Sequence, residues 1–148
     1  MRRTLATAAE VVNQHEQLSE RHRFRLESDG ARPIGVWDRN RLARVLENLV
    51  DNAVKFSPNG GEIIVRVGAD GARAFAAVAD RGIGIASSEL DLIFSPMYRG
   101  RNARGTVGTG LGLAGSRQLI EQMGGSVTVD SELGVGSTFT VWLPRARA

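Results

Sequence analysis

Asn48, Asn52 and Lys55 fall at i, i+4 and i+7 within LENLVDNAVKFS, Leu46 to Ser57. On a helix this spacing gathers two amides and an ammonium into one stripe. The stripe borders an apolar face of Leu42, Leu46, Leu49, Ala53 and Phe56. It does not oppose that face, as Glu47 and Asp51 more nearly do. Polar groups beside a core edge can line a pocket, although the helix alone reads as readily as an amphipathic boundary with solvated amides. Lys55 is the only lysine in a chain otherwise furnished with arginine. Three glycine-containing runs follow: DRGIGI at Asp80 to Ile85, GTGLGL at Gly108 to Leu113, and GVGST at Gly134 to Thr138. Asp80 offers an acceptor-only carboxylate at the end of a strand, and the glycines after it let the backbone turn closely. GTGLGL opens a helix, where free N–H groups and the helix dipole make an anion site. Gly108, Gly110 and Gly112 let an anion approach the backbone there. The run lacks the GxxxxGK[ST] of a P-loop, and no strand precedes it as a dinucleotide fingerprint requires. Each run by itself is more often a plain turn; their order and spacing carry the signal.

The elements that must position these residues can be read from periodicity and punctuation. Thr4 to Glu20 is expected to be helical, with Leu5, Ala8, Val11, Val12 and Leu18 apolar. Phe24 to Glu27 alternates as a strand, and Pro33 to Trp37 suggests another. Asp38 is a good N-cap for a helix that runs to about Phe56 and stops at Ser57-Pro58-Asn59-Gly60-Gly61. Gly61 to Gly68 and Arg73 to Asp80 are expected strands, joined at Asp70-Gly71 as a hairpin. Ser87 and Ser88 suggest the cap of a short helix through Ile93. Phe94 to Thr109 has no periodicity and is expected to be a long loop of the kind that often serves as a lid. Leu111 to Met123 reads as a helix ended by Gly124-Gly125. Ser126 to Asp130 and Ser137 to Leu143 are the last strands. Mixed helices and strands with an antiparallel hairpin point to an α+β two-layer sandwich, not a doubly wound parallel sheet.

Composition narrows the function classes. The chain has 148 residues, a formal net charge of +3 and no cysteine. That length suits one core, and the lack of cysteine excludes disulfides and thiolate chemistry. No apolar run approaches membrane-spanning length, and MRRTLATAAE lacks the apolar stretch of a signal peptide. The arginines are scattered without interleaved aromatics, which argues against nucleic-acid binding.

In their order, the asparagine helix and the glycine runs resemble the N, G1, G2 and G3 boxes of the ATP-binding catalytic domain of sensor histidine kinases. The resemblance covers about Asp38 to Leu143. It implies the Bergerat ATP-binding fold, a mixed and mostly antiparallel sheet of about five strands packed on about three helices. It implies ATP and Mg²⁺, with Asn52 as the metal ligand through its carbonyl oxygen and Lys55 on the phosphates. Phe56 would pack against adenine, and Asp80 would accept from the adenine amino group, where guanine offers a carbonyl instead. Gly82, Gly84, Ile85, Leu111 and Leu113 are carried over as residues of the nucleotide site, with Gly108, Gly110 and Gly112 around the phosphates. Thr138 matches a family position near the adenine. FSPMYRG, Phe94 to Gly100, resembles the family's F box, with Met97 replacing a phenylalanine. Tyr98 and Arg99 map to the lid, and Arg99 is the candidate for charge on the transferring phosphoryl group. Asn48, Lys55 and Arg99 are thus the candidate catalytic residues. Gly115 and Ser116 depart from the usual apolar pair early in the last helix.

What the resemblance leaves out is informative too. These kinases phosphorylate a histidine on a separate helical hairpin, in a motif like SHELRTPL. His15 in NQHEQ and His22 in SERHRF do not match it, and both read as surface histidines. ATPases of this fold place a carboxylate one helical turn before the metal asparagine, where this chain has Asn48. Glu47 is adjacent but points about 100° away. Transfer to a protein acceptor is therefore expected over hydrolysis, with a serine kinase of the anti-sigma-factor type or an ATP-sensing module as alternatives. The expected organisation is a leading helix over 1–23, a linker remnant from the hairpin, and a catalytic domain over 24–144. The expected partners are that hairpin and a response-regulator receiver domain. The domain is expected to be cytoplasmic, monomeric in isolation and without membrane contact of its own.

Overall fold

A computed structural model describes residues 2–3, 8–14, 22–28, 34–35, 39–90, 92–94 and 112–144. Its strands are β1 (Arg2–Arg3), β2 (His22–Ser28), β3 (Ile34–Gly35), β4 (Gly61–Asp70), β5 (Arg73–Asp80), β6 (Ser126–Glu132) and β7 (Gly136–Pro144). Helix α1 covers residues 8–14, α2 is Arg39–Lys55 and α3 is Gly112–Gln122. Five strands form one sheet in the order β2-β4-β5-β7-β6, and β1 pairs with β3 in a separate two-stranded sheet. Only β2 and β4 run parallel; the other neighbours in the large sheet are antiparallel. A parallel pair needs a long crossover, and α2 lies in the stretch between β2 and β4. The helices α2 and α3 pack on one face of the sheet and on each other. This is the expected α+β sandwich.

Alternation along the strands decides what each face carries. The register sets Val78 opposite Phe139, Ala76 opposite Val141 and Ala74 opposite Leu143, and all six are buried. On β4, Ile63, Val65 and Val67 continue this inner face. The core is closed by Leu42, Val45, Leu46, Leu49, Val50 and Ala53 of α2. Ala8, Val11 and Val12 of α1 are buried in the same cluster, so the leading helix shares the core of the domain it was expected to precede. The outer face carries Phe75 against Trp142, with the Arg73 guanidinium 4.3 Å from the indole centre.

Several boundaries follow from local chemistry. Between β4 and β5, Gly71 takes φ +63° at the first position of a two-residue turn, as a type II′ hairpin needs. At the end of α3, Gly125 N–H reaches the Ile120 carbonyl and Gly124 N–H the Glu121 carbonyl, both at 3.0 Å. With Gly124 at φ +82°, this is a Schellman cap. Among the described residues from Ser87 to Ile93, turns stand in place of the expected short helix. Glu89 N–H bonds Ala86 O, Leu90 N–H bonds Ser87 O and Leu92 N–H bonds Glu89 O, three turns of i→i+3 type. So short a segment gains too few α-helical bonds to offset nucleation. The strand expected at Pro33–Trp37 appears as Ile34–Gly35, outside the large sheet.

Candidate nucleotide-binding site

The end of α2 and the first and third glycine runs are joined through one residue. Ile83 donates its N–H to the Phe56 carbonyl at 2.9 Å and accepts from Gly134 N–H at 2.8 Å. The approach is close enough to require glycine. A Cβ on Gly82 would lie 1.9 Å from Phe56 O, and one on Gly84 would lie 2.1 Å from Glu132 O. Gly84 also has φ +72°. The glycines of DRGIGI are thus explained by backbone packing on backbone, before any ligand is considered. A serine adds a second tie. Ser131 Oγ accepts from Ile85 N–H at 2.8 Å and lies 2.7 Å from Ser137 Oγ.

Asp80 stands where these segments meet. It is 8% exposed, and its Oδ1 accepts from Gly82 N–H at 2.8 Å. Burial pushes its pKa above the ordinary aspartate value, while the N–H groups of Gly82 and Ser137 pull it down. A buried carboxylate held by backbone donors is a fixed acceptor for an incoming amino group. The register pairs Asp80 directly with Ser137. Thr138 pairs with Ala79 instead, so alternation sends its side chain to the opposite face. The structure therefore brings Ser137, and not Thr138, to Asp80.

The remaining predicted residues separate into groups. Asn52, Lys55 and Phe56 are half-buried along the end of α2. Lys55 lies in the last turn of α2, where a cation also favours the helix dipole. Asn48 does not share this boundary position. It is 4% exposed, and its Nδ2 donates to Ser116 Oγ of α3 at 3.0 Å. Ser116 is fully buried and donates in turn to Gly112 O at 2.9 Å. Gly112 begins α3 with φ +68°, is exposed, and has nothing within 4 Å of where a Cβ would stand. Leu113 and Ile85 belong to or border the core. Tyr98, Arg99, Gly108, Gly110 and Leu111 lie outside the described residues, as do Asp38, His15 and most of the loop expected from Phe94 to Thr109. Phe94 itself is held edge-on to Phe139, with the Arg117 guanidinium 5.3 Å from its ring centre. His22 is not a free surface histidine: it is half-buried, and its Nε2 lies 2.7 Å from the Ser57 carbonyl just beyond α2.

Sequence reasoning missed Ser131 and Ser137, and gave Ser116 no role. Ser137 lay within a motif already singled out, and only the strand register separates it from its neighbour. Ser116 carried a signal as a polar residue at an apolar position. Ser131 carried none.

An α+β sandwich that gathers an asparagine helix, an aspartate–glycine loop and a glycine-opened helix on one side of its sheet has the build of a histidine kinase catalytic domain. The chain belongs to the family of histidine kinase-, DNA gyrase B- and HSP90-like ATPases, whose model matches residues 37–147. It is 47% identical over 124 residues to the aerobic respiration control sensor protein ArcB of Escherichia coli strain K12, a match that covers 80% of this chain and 16% of ArcB. Among solved structures, it is similar to the mycobacterial sensor histidine kinase MprB, with a TM-score of 0.86, 27% identity and 99% of each chain covered. It is also similar to full-length ShkA in complex with AMPPNP, with a TM-score of 0.81, 32% identity, and 97% of this chain and 30% of ShkA covered. The chain thus spans less than a third of ArcB and of full-length ShkA.

Proposed function

We propose that this chain is the catalytic ATP-binding domain of a two-component sensor kinase, and that it transfers the γ-phosphoryl group of ATP to a histidine on a separate helical hairpin. The observation that carries this reading is the joining of the motifs. Ile83 links the end of α2 to both the Asp80 loop and the last glycine run, and Ser116 links α2 to the start of α3. Motifs scattered over the sequence thereby become one site. In it, Asp80 accepts from the adenine amino group beside Ser137, and Phe56 packs on the base. Lys55 places a positive charge at the phosphates, and the open N-terminus of α3 at Gly112 receives them. That ShkA was solved with AMPPNP, an ATP analogue, supports the choice of ligand.

Asn52 fits a divalent cation of a particular kind. Among the described residues no cluster of three or more histidines or carboxylates can hold a metal. A cation at Asn52 would take the amide oxygen and fill its shell from phosphate and water, the habit of Mg²⁺. Bound there, Mg²⁺ would neutralise charge developing on the phosphates. In the transfer, the bond from the γ-phosphorus to its bridging oxygen breaks, a bond to the acceptor imidazole nitrogen forms, and ADP leaves. Arg99 is assigned to the charge on the moving group. Position 48 supplies no base for water, because Asn48 is an amide committed to Ser116. A receiver domain is the onward partner. The domain is read as cytoplasmic and monomeric when isolated; no described helix is long and apolar enough to cross a membrane.

Titration tests the nucleotide assignment. ATP binds and GTP barely does, and Asp80→Ala loses about tenfold or more in ATP affinity, the value of a charged hydrogen bond. Asn52→Ala loses most of the Mg²⁺ dependence of ATP binding while adenosine binding survives. Equal affinity for ATP and GTP would remove the role of Asp80, and an unchanged response to Mg²⁺ would remove that of Asn52.

A further inference from the structure

Asn48 and Ser116 form a buried polar contact between α2 and α3. The pair lies 68 residues apart in sequence, and each partner is at most 4% exposed. Apolar contacts are non-directional, so an apolar pair would fix the position of α3 along α2 less sharply than a hydrogen bond does. A hydroxyl between an amide donor and a carbonyl acceptor is directional at both ends. Asn48 Nδ2–H donates to Ser116 Oγ, and Ser116 O–H donates to Gly112 O. The Ser116 hydroxyl can accept from one and donate to the other, whereas an alanine there could do neither. The bond to Gly112 runs from i to i−4 and spans the first turn of α3, a pattern that slightly destabilises helices and often bends them. Its presence here ties that first turn to α2.

The relay lies one helical turn from the ligand-facing groups on both sides. Asn52 follows Asn48 by one turn of α2, and Gly112 precedes Ser116 by one turn of α3. We infer that the Asn48–Ser116 relay is a positioning device, which fixes the register of α3 on α2 and so holds the phosphate-receiving start of α3 at its working distance from Asn52 and Lys55. Ser116 thereby acquires a role through Gly112, without touching the nucleotide. Position 48 is accounted for as an anchor of the site and not as a base. The inference rests on the ATP-site reading above.

The test is the ratio of ATP to adenosine affinity, measured by calorimetric titration of the whole chain with Mg²⁺. Adenosine reads the Asp80 side of the site and ATP reads both sides. Ser116→Ala is expected to weaken ATP about fivefold or more while leaving adenosine within about twofold, as the loss of one buried hydrogen bond that acts only through the phosphates would do. Ser116→Thr, which keeps the hydroxyl, restores the ratio. Asn48→Ala lowers the ratio to the same extent, and the double variant is no worse than either single one. Should Ser116→Ala fail to fold, Ser116→Cys, of similar size but a weak donor, takes its place with the same expectation. Equal losses for ATP and adenosine, an unchanged ratio, or additive effects in the double variant would each overturn the relay. A parent chain that does not prefer ATP to adenosine would instead overturn the ATP-site reading, and the relay with it.

Discussion

At the scale of single residues, Asp80 shows a site bought at the expense of stability. Its carboxylate is buried, and desolvation outweighs the two backbone donors that favour its charge. A folded-state pKa above the unfolded value means the native protein holds the proton more tightly. The stability linked to that proton is fully present below the ordinary value of 3.8 and is lost as pH rises through the raised folded value. Compared with Asp80→Asn, which does not titrate, the parent is expected to lose stability steadily as pH rises from about 4 through that window. Urea unfolding of both proteins across this range checks it, and a difference independent of pH would contradict it. ATP should oppose the effect, because an amino donor favours the ionised acid. Asp80 was legible in the sequence from its place before two glycines. Its partner was not: Ser137 and Thr138 are adjacent, and the choice between them depends on a register with β5, more than fifty residues away.

At the scale of elements, the glycines divide into two kinds with different costs. Gly71 and Gly84 both take positive φ, but Gly71 faces open space and Gly84 faces the backbone of Glu132. Gly71→Ala therefore costs about 1 kcal/mol, the strain of the conformation alone. Gly84→Ala adds a backbone collision to the strain and should cost about 3 kcal/mol or more, separating the Asp80 loop from the turn after β6. Chemical denaturation of the two variants distinguishes them; equal losses would mean that the loops do not depend on this contact. The elements themselves were largely visible. α2 showed its apolar spacing, the β4–β5 hairpin its Asp70-Gly71 turn, and α3 its Gly124-Gly125 stop. Less visible was the parallel pairing of β2 with β4, which is a long-range choice that local pattern does not encode. The burial of Asn48 was hidden for a similar reason. Periodicity placed it at the edge of the apolar face, and the partner that lets an amide go inside belongs to another helix.

At the scale of the whole molecule, the chain carries a nucleotide site and no acceptor motif. His22, the one described histidine, is tied to Ser57 by its ring nitrogen, and its surroundings do not resemble the family's phosphoacceptor. Phosphoryl transfer is mostly positioning and charge stabilisation, so a site without a placed acceptor should bind ATP and do little with it. The direct measurement is incubation of γ-labelled ATP and Mg²⁺ with this chain alone, and with the proposed histidine-bearing hairpin domain added in trans. The account predicts no appreciable label or ATP turnover with the chain alone, and acid-labile label on the hairpin histidine when both are present. Brisk self-labelling on His15 or His22, rapid ATP hydrolysis by the lone chain, or an acid-stable phosphoserine product would contradict it.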